Sequence, residues 1–390
     1  MLPPNRIPRI ALVTPILPVP EDSTKGRYIF ETASALARQA EVKVFFQLNR
    51  YPDPGWLGWR TLLRGAVEEA YSIEGLDVDC FSYPSIPFVT RLLNGYTSSR
   101  YLEPRLAAFA PDIVLAYWVY PDGFAALRAA RALGLPCLIG ALGSDVHLRS
   151  GLASWLTGQA VRNTDGLLTV SEAMRNLAVR KFRAEQTKVH TIVNGFNNDV
   201  FNLRSQQVAR KHLGMPENAR LIIYVGRLVH TKGLHELIDA FQSLAGEDPQ
   251  CRLVLVGEGP MRGGLLELIA GAGLADRVVL TGGLPPAKVA DWICAADVLT
   301  LPSWSEGYPN VVVEALACGR PVVATDVGGT REIVSSLNGV LIPPRDTGAL
   351  RAALRSSLDR QWDHPAIAAR MKRTWDDVAS ETLRVCNDMI

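Results

Sequence analysis

The sequence predicts an α/β protein of two domains, each built on a mostly parallel sheet with Rossmann-like order. Short β-branched runs alternate with segments of helical periodicity almost throughout, the pattern of parallel strands joined by crossover helices. At 390 residues the chain exceeds what one hydrophobic core usually supports. Periodicity lapses after Asn194-Gly195-Phe196-Asn197 through about Ser205, and a second strand–helix series begins at Arg220. A domain boundary is therefore expected near residues 195–205.

In the first series Arg9–Thr14 reads as a strand and Arg27–Gln39 as a helix. Val42–Gln47, Asp112–Ala116, Pro136–Gly140, Gly166–Val170 and Lys188–Val193 follow as strands, each a short apolar run bounded by polar or turn residues. Residues 49–99 are irregular and rich in aromatic residues, Pro and Arg. The second series gives strands at Leu221–Val225, Arg252–Val256, Arg277–Leu280, Asp297–Leu301, Val322–Thr325 and Gly339–Ile342. Helices between them include Leu234–Leu244, Pro286–Cys294 and Val311–Cys318. A last helical stretch, His364–Cys386, lies beyond the final strand and is expected to reach back to the first domain. The division is then 1–198, 199–365 and a terminal helix at 366–390.

Hydrophobic residues make up 48% and charged ones 21%, the balance of a soluble globular protein. A formal charge of +2 gives no global reason to expect nucleic acid. Six cysteines lie far apart with no Cys-x-x-Cys pair, so neither a disulfide framework nor a zinc site is expected, and a reducing cytoplasm fits. The Pro-rich start runs into a strand without the pattern of a signal peptide, and no stretch approaches the roughly 20 apolar residues of a membrane span.

Open α/β sheets bind ligands outside the carboxyl ends of their strands, so strand-to-helix turns carry the most information. Ser303-Trp304-Ser305-Glu306-Gly307-Tyr308-Pro309-Asn310-Val311-Val312-Val313-Glu314 follows one strand and opens a helix. Asn310 reads as the N-cap, leaving the amides of Val311, Val312 and Val313 to face an anion such as a diphosphate. Glu306 before the helix and Glu314 within it could grip hydroxyls at both ends of a sugar nucleotide, or could simply favour a helix N-terminus by charge. The second constellation, Val225-Gly226-Arg227-Leu228-Val229-His230-Thr231-Lys232-Gly233, also leaves a buried strand for a helix. Its guanidinium and ammonium suit a diphosphate leaving group; the plain alternative is a solvated basic turn.

Gly226-Arg227…Lys232-Gly233 together with Glu306-x7-Glu314 resembles family 4 of the retaining glycosyltransferases, which have the GT-B fold. Val170-Ser171-Glu172, Asn194-Gly195, Val256-Gly257-Glu258-Gly259-Pro260, Leu301-Pro302-Ser303, Gly319-Arg320-Pro321 and Gly328-Gly329…Glu332 match in order, densely in the second half and thinly in the first. Trp375 resembles the family's crossover segment. The resemblance implies two Rossmann-like domains facing each other across a cleft, the first binding the acceptor and the second a UDP-, GDP- or ADP-linked sugar.

It also implies that Arg227 and Lys232 hold the donor diphosphate, that Glu314 binds the ribose and Glu306 the transferred sugar. The backbone of Gly307, Tyr308, Pro309, Asn310 and Val311, with Gly226, would line the donor. Gly26 matches the small residue that lets the first domain's loop approach phosphate. Asp145 and His147, in Gly143-Ser144-Asp145-Val146-His147, are candidates for touching sugar or acceptor, although Leu142 stands where many relatives carry His. Gly257-x-Gly259 reads as a turn rather than a cofactor box.

No Asp-x-Asp ends a strand facing this site, so neither a metal nor another cofactor is expected. No protein nucleophile was found, which fits front-face displacement. The acceptor class is expected to be a glycan or lipid-linked cell-envelope or exopolysaccharide precursor. Trp56, Trp59, Leu63, Ala66 and Ala70, flanked by Arg60 and Arg64, recur at helical spacing within 50–71. That stripe fits an anionic membrane surface at the inner face of the plasma membrane, or the domain's own core. A GT-B epimerase would want further acid–base residues, and a phosphorylase a longer chain with pyridoxal phosphate. A non-catalytic scaffold would have no use for all four charged residues.

Overall fold

The computed structural model describes residues 6–19, 25–50, 71–86, 92–147 and 151–390. The stripe within 50–71 therefore lies, from 51 to 70, outside the described residues. The chain forms two compact units. One runs to Asn194 and takes back Trp375–Ile390; the other spans Gly195–Thr374. The switch between them falls at 194/195 rather than after 198.

The first unit contains β1 (Arg9–Thr14), α1 (Arg27–Ala37), β2 (Glu41–Arg50), β3 (Asp77–Pro84), α2 (Asn94–Phe109), β4 (Ile113–Tyr117), a turn at Val119–Gly123, α3 (Phe124–Ala132), β5 (Cys137–Ala141), α4 (Ser144–His147), α5 (Gly151–Asn163), β6 (Gly166–Thr169), α6 (Glu172–Phe182) and β7 (Val189–Thr191). Its seven strands lie in the order β3-β2-β1-β4-β5-β6-β7, all parallel. β4 and β5 are buried along their whole length, as expected of strands covered on both faces by helices.

β3 and α2 occupy the stretch read as irregular. β3 is an edge strand paired only with β2, and Asp77 and Asp79 precede Phe81 and Tyr83 on the same face, so no apolar period marks it. α2 turns Asn94, Gly95, Ser98 and Ser99 inward beside Leu102 and Leu106 and carries Pro104 inside, so its apolar period is faint. Ser85 Oγ donates to Asn94 Oδ1, Ser99 Oγ donates to Tyr96 O, and Ser98 joins a buried chain of hydrogen bonds. Ser98 Oγ donates to Gln47 Oε1 (2.5 Å) and Gln47 Nε2 donates to Asp122 Oδ1 (2.7 Å).

The second unit contains α7 (Gln206–Leu213), β8 (Arg220–Val225), α8 (Leu234–Glu247), β9 (Cys251–Val256), α9 (Arg262–Gly271), β10 (Val278–Gly282), α10 (Pro286–Ala295), β11 (Val298–Leu301), α11 (Asn310–Ala317), β12 (Val322–Thr325), α12 (Thr330–Ile333), β13 (Gly339–Ile342), α13 (Thr347–Asp359) and α14 (His364–Ala369). Its six parallel strands run β10-β9-β8-β11-β12-β13 around one apolar core. The expected single terminal helix is two: α14 stays with the second unit, and α15 (Trp375–Asn387) belongs to the first. The break lets Phe196 pair with Thr374 before α15 begins. α15 then buries Trp375, Val378, Ala379 and Cys386 in the first unit's core. Among the described residues no helix is long and apolar enough to cross a membrane.

Candidate functional site

Strand order in the second sheet reverses at β8, which is flanked by β9 on one side and β11 on the other. Loops leaving the carboxyl ends of β8 and β11 therefore part toward opposite faces, opening the crevice where such sheets bind ligands. The β8–α8 loop carries Gly226 to Gly233, and the β11–α11 loop carries Pro302 to Pro309. The two constellations singled out in the sequence thus lie on neighbouring strands at the topological switch point.

Close backbone approach locks these loops together. Gly233 has φ 67°, and a Cβ there would sit 2.1 Å from the Pro302 carbonyl oxygen. The Trp304 amide donates to Thr231 O (2.8 Å), and its indole Nε1 donates to Glu236 Oε1 (3.0 Å). The His230 ring meets the Trp304 ring edge-on at 4.5 Å, while the Arg345 guanidinium lies over that indole at 4.2 Å. So clamped, Lys232 Nζ reaches Glu306 Oε1 at 2.5 Å. A third loop fixes Glu306 from behind. Gly328 has φ 54°, its absent Cβ would lie 1.8 Å from Glu306 O, and the Gly329 amide donates to Gly307 O (3.0 Å).

Arg227 is exposed, and its guanidinium makes no hydrogen bond or ion pair to any described residue. Its backbone is held instead, through Tyr224 Oη donating to Arg227 O (2.9 Å). Burial, then the nearby Glu306 charge, pushes the Tyr224 phenol far above its ordinary range. Tyr308 is pushed up to about 12, mainly by burial, with Arg373 pulling it down and Glu332 pushing it up. Both remain neutral hydroxyls at ordinary pH. Glu314 projects, half-buried, from α11.

Asn310 is not the N-cap. Pro309 takes that place in extended conformation, with no side-chain cap, and its carbonyl accepts the Val312 amide at 3.0 Å. Val312 is thereby removed from the expected anion-facing set. Among the described residues no acceptor takes the amides of Gly307, Tyr308 or Val311. The roles of Trp304 and Glu236 carried no sequence signal, because their meeting depends on which strands are neighbours. Gly257 and Gly259 are required by packing: Cβ atoms there would lie 1.9 Å from Gly226 O and 2.3 Å from Leu228 O.

In the first unit Gly26 precedes α1 with φ 65°, and a Cβ would fall 2.7 Å from Ile16 O. The loop's own fold thus demands glycine there, whatever it binds. Asp145 is fully buried. Its Oδ1 accepts from Gly143 N (2.8 Å) and Leu142 N (3.1 Å), and its Oδ2 from Val119 N (3.1 Å). Burial pushes its carboxyl above the usual range, against the pull of those amides. Through these contacts Asp145 ties the loop after β5 to the turn after β4. His147 closes α4. Among the described residues no three His, Cys, Asp or Glu side chains converge as metal ligands.

Residues 205–374 match the family described as Glycosyl transferases group 1, and residues 25–195 match the Glycosyl transferase 4-like domain. The putative teichuronic acid biosynthesis glycosyltransferase TuaC of Bacillus subtilis is 34% identical over 268 residues. That alignment covers 68% of this chain and 66% of TuaC, just under two thirds. A D-inositol 3-phosphate glycosyltransferase of Xylanimonas cellulosilytica is 28% identical, with 98% and 97% covered. Among solved structures, sucrose-phosphate synthase of Thermosynechococcus elongatus superposes with TM-score 0.79 at 21% identity, covering 98% of each chain. Anabaena HepE in complex with UDP and glucose gives 0.74 at 20%, covering 98% of this chain and all of HepE. With both units matched and the paired parallel sheets in place, the chain belongs to the group 1, family 4-like glycosyltransferases and has the GT-B fold.

Proposed function

We propose that the chain moves a sugar from a nucleotide-sugar donor to a hydroxyl of a glycan or lipid-linked acceptor, retaining the anomeric configuration and using no metal. The observation that carries this reading is the Lys232–Glu306 pair at the switch point of the second sheet, with Lys232 on the same loop as Arg227, whose guanidinium has no partner among the described residues. Arg227 offers a planar fork to the donor's diphosphate and Lys232 a compact charge. The amides of Gly307, Tyr308 and Val311 add fixed dipoles that need no reorganisation during reaction. Glu306 accepts from hydroxyls of the transferred sugar and Glu314 from the ribose. The contact between Lys232 and Glu306 keeps both charges in place until a donor divides them.

In the step itself, the bond from the anomeric carbon to the diphosphate oxygen breaks, and its electron pair leaves with the nucleotide. The acceptor hydroxyl bonds to the same face of that carbon, and its proton passes to the departing phosphate oxygen. Arg227 and Lys232 stabilise the charge that develops there. HepE, crystallised with UDP and glucose, and Arabidopsis starch synthase IV, bound to ADP and acarbose, support a nucleotide-linked donor. TuaC's assignment to teichuronic acid biosynthesis supports an envelope or exopolysaccharide acceptor.

A thermal-shift screen against UDP-, GDP- and ADP-sugars tests the reading, since a ligand that binds only the folded state raises its stability. Hydrolysis or transfer from the stabilising donor is expected to persist in EDTA. Glu306→Ala and Arg227→Ala are expected to lower turnover at least about 100-fold with unchanged melting. Wild-type turnover in either variant, or a strict metal requirement, would refute this assignment.

A further inference from the structure

A groove on the first unit, remote in sequence from the donor loops, has a chemistry of its own. It runs between α3 and α5 and encloses about 440 Å³, lined by Tyr96, Phe124, Arg128, Arg131, Trp155 and Gln159 with Leu127 and Asn163. That volume suits a small ligand or a short stretch of polymer. Trp155 is 53% exposed and Tyr96 39%, so two aromatic surfaces that could have been buried face solvent beside one cavity.

The polar lining is one-sided. Arg128 has its guanidinium over the Tyr96 ring at 4.7 Å and no acidic partner among the described residues. Arg131 Nη2 donates to the Asn163 carbonyl, an anchor that leaves its positive charge uncompensated. Among the described residues no carboxylate lines the groove, and neither α3 nor α5 contains one. Asn163 Nδ2 donates to Gln159 O (2.8 Å) and to Gln159 Oε1 (3.1 Å), which leaves Gln159 Nε2 to donate and Asn163 Oδ1 to accept. An exposed indole, a second ring, two guanidiniums and two amides match the flat C–H faces, hydroxyls and carboxylates of an acidic sugar. A flat bilayer surface would not fill a concave recess.

We propose that this groove binds an acidic oligosaccharide, a chain of sugars bearing carboxylate groups, with a sugar face on Trp155 and a carboxylate against Arg128 and Arg131. Phe124, one of the lining residues, stands where α3 begins after the carboxyl end of β4, the end of such a sheet where ligands gather. The ligand's chemistry stands on the groove's own residues. Only its use, to hold a growing acceptor or product, rests on the transfer reading above.

Isothermal titration of the full chain with a galacturonic acid tetramer, with maltotetraose as the neutral control and phosphatidylglycerol vesicles as a lipid arm, tests the proposal. The acidic tetramer is expected to bind, with affinity falling as salt rises. Trp155→Ala and Arg128→Glu should each weaken it about tenfold or more, the scale of one charge-assisted contact, while Trp155→Phe keeps most of it. Glu306→Ala should bind the tetramer as wild type does, which separates this site from the donor site. Equal binding of maltotetraose, vesicle binding without tetramer binding, no binding at all, or indifference to both groove substitutions would each overturn the proposal.

Discussion

Lys232 and Glu306 stand 74 residues apart in the chain and meet at 2.5 Å. Their identities were legible in the sequence as charged positions at strand-to-helix turns. That they pair with each other was not, because pairing requires β8 and β11 to be neighbours. Trp304 shows the same limit. Its indole bridges Glu236 and the His230 turn, so it acts as a positioning residue for Lys232. Trp304→Phe keeps the ring and removes the Nε1 donor. Turnover is expected to fall several-fold with donor KM raised, and melting to change by about 1 kcal/mol or less in stability. A variant with unchanged kinetics would assign Trp304 to packing alone. Asp145 shows a different role for a buried carboxylate, which accepts from the backbone amides of Leu142, Gly143 and Val119. Asp145→Asn replaces an acceptor with an N–H₂ group that faces an amide donor. A loss of about 1–3 kcal/mol is expected in denaturant unfolding, and wild-type stability would contradict the buried geometry.

Elements with strong apolar periods, such as β1, β8, β9 and α8, were readable because their own residues supply the pattern. β3 and α2 were not. An edge strand needs only one apolar face, and α2 buries small polar groups whose partners, Gln47 for Ser98 and Ser85 for Asn94, lie outside the helix. The cap of α11 differs from the expected Asn310 for a local reason. Proline is usually expected just inside a helix start, yet here Pro309 is itself the cap residue and its carbonyl takes the amide of Val312. The loop before α12 was matched as Gly328-Gly329, but its purpose appears only against Glu306. Gly328→Ala puts a methyl group into the Glu306 carbonyl, at a φ that L-residues rarely adopt. It is expected to displace the Glu306 loop and cut turnover by about tenfold or more, while costing roughly 1–3 kcal/mol of stability. Full activity in this variant would mean that the loop relaxes without moving Glu306.

For the molecule as a whole, the chain's return to its first unit matters most. α15 places Trp375, Val378, Ala379 and Cys386 in the same core as Ile10, Leu12, Ile29 and Leu36. An ion pair between Arg38 and Asp376 and a hydrogen bond from Ser380 Oγ to Gln39 Oε1 (3.2 Å) add polar fixings at the surface. Burying one large apolar side chain stabilises by about 1.5–3 kcal/mol, so removing several leaves the first unit marginal. Truncation after Thr374 is expected to lower the first unit's calorimetric transition by about 10 °C or more. A truncated protein melting like the full chain would show that α15 contributes nothing to that core.

The fold class and the placement of most parallel strands are legible in the chain alone. These follow from periodicity and turn chemistry, which are properties of neighbouring residues in the chain. Only the tertiary structure decided that Lys232 pairs with Glu306, that Asp145 is consumed by backbone amides, and that the terminal helical stretch divides between two units. Those outcomes depend on which strands lie side by side and on how closely their loops approach, and no local pattern encodes either.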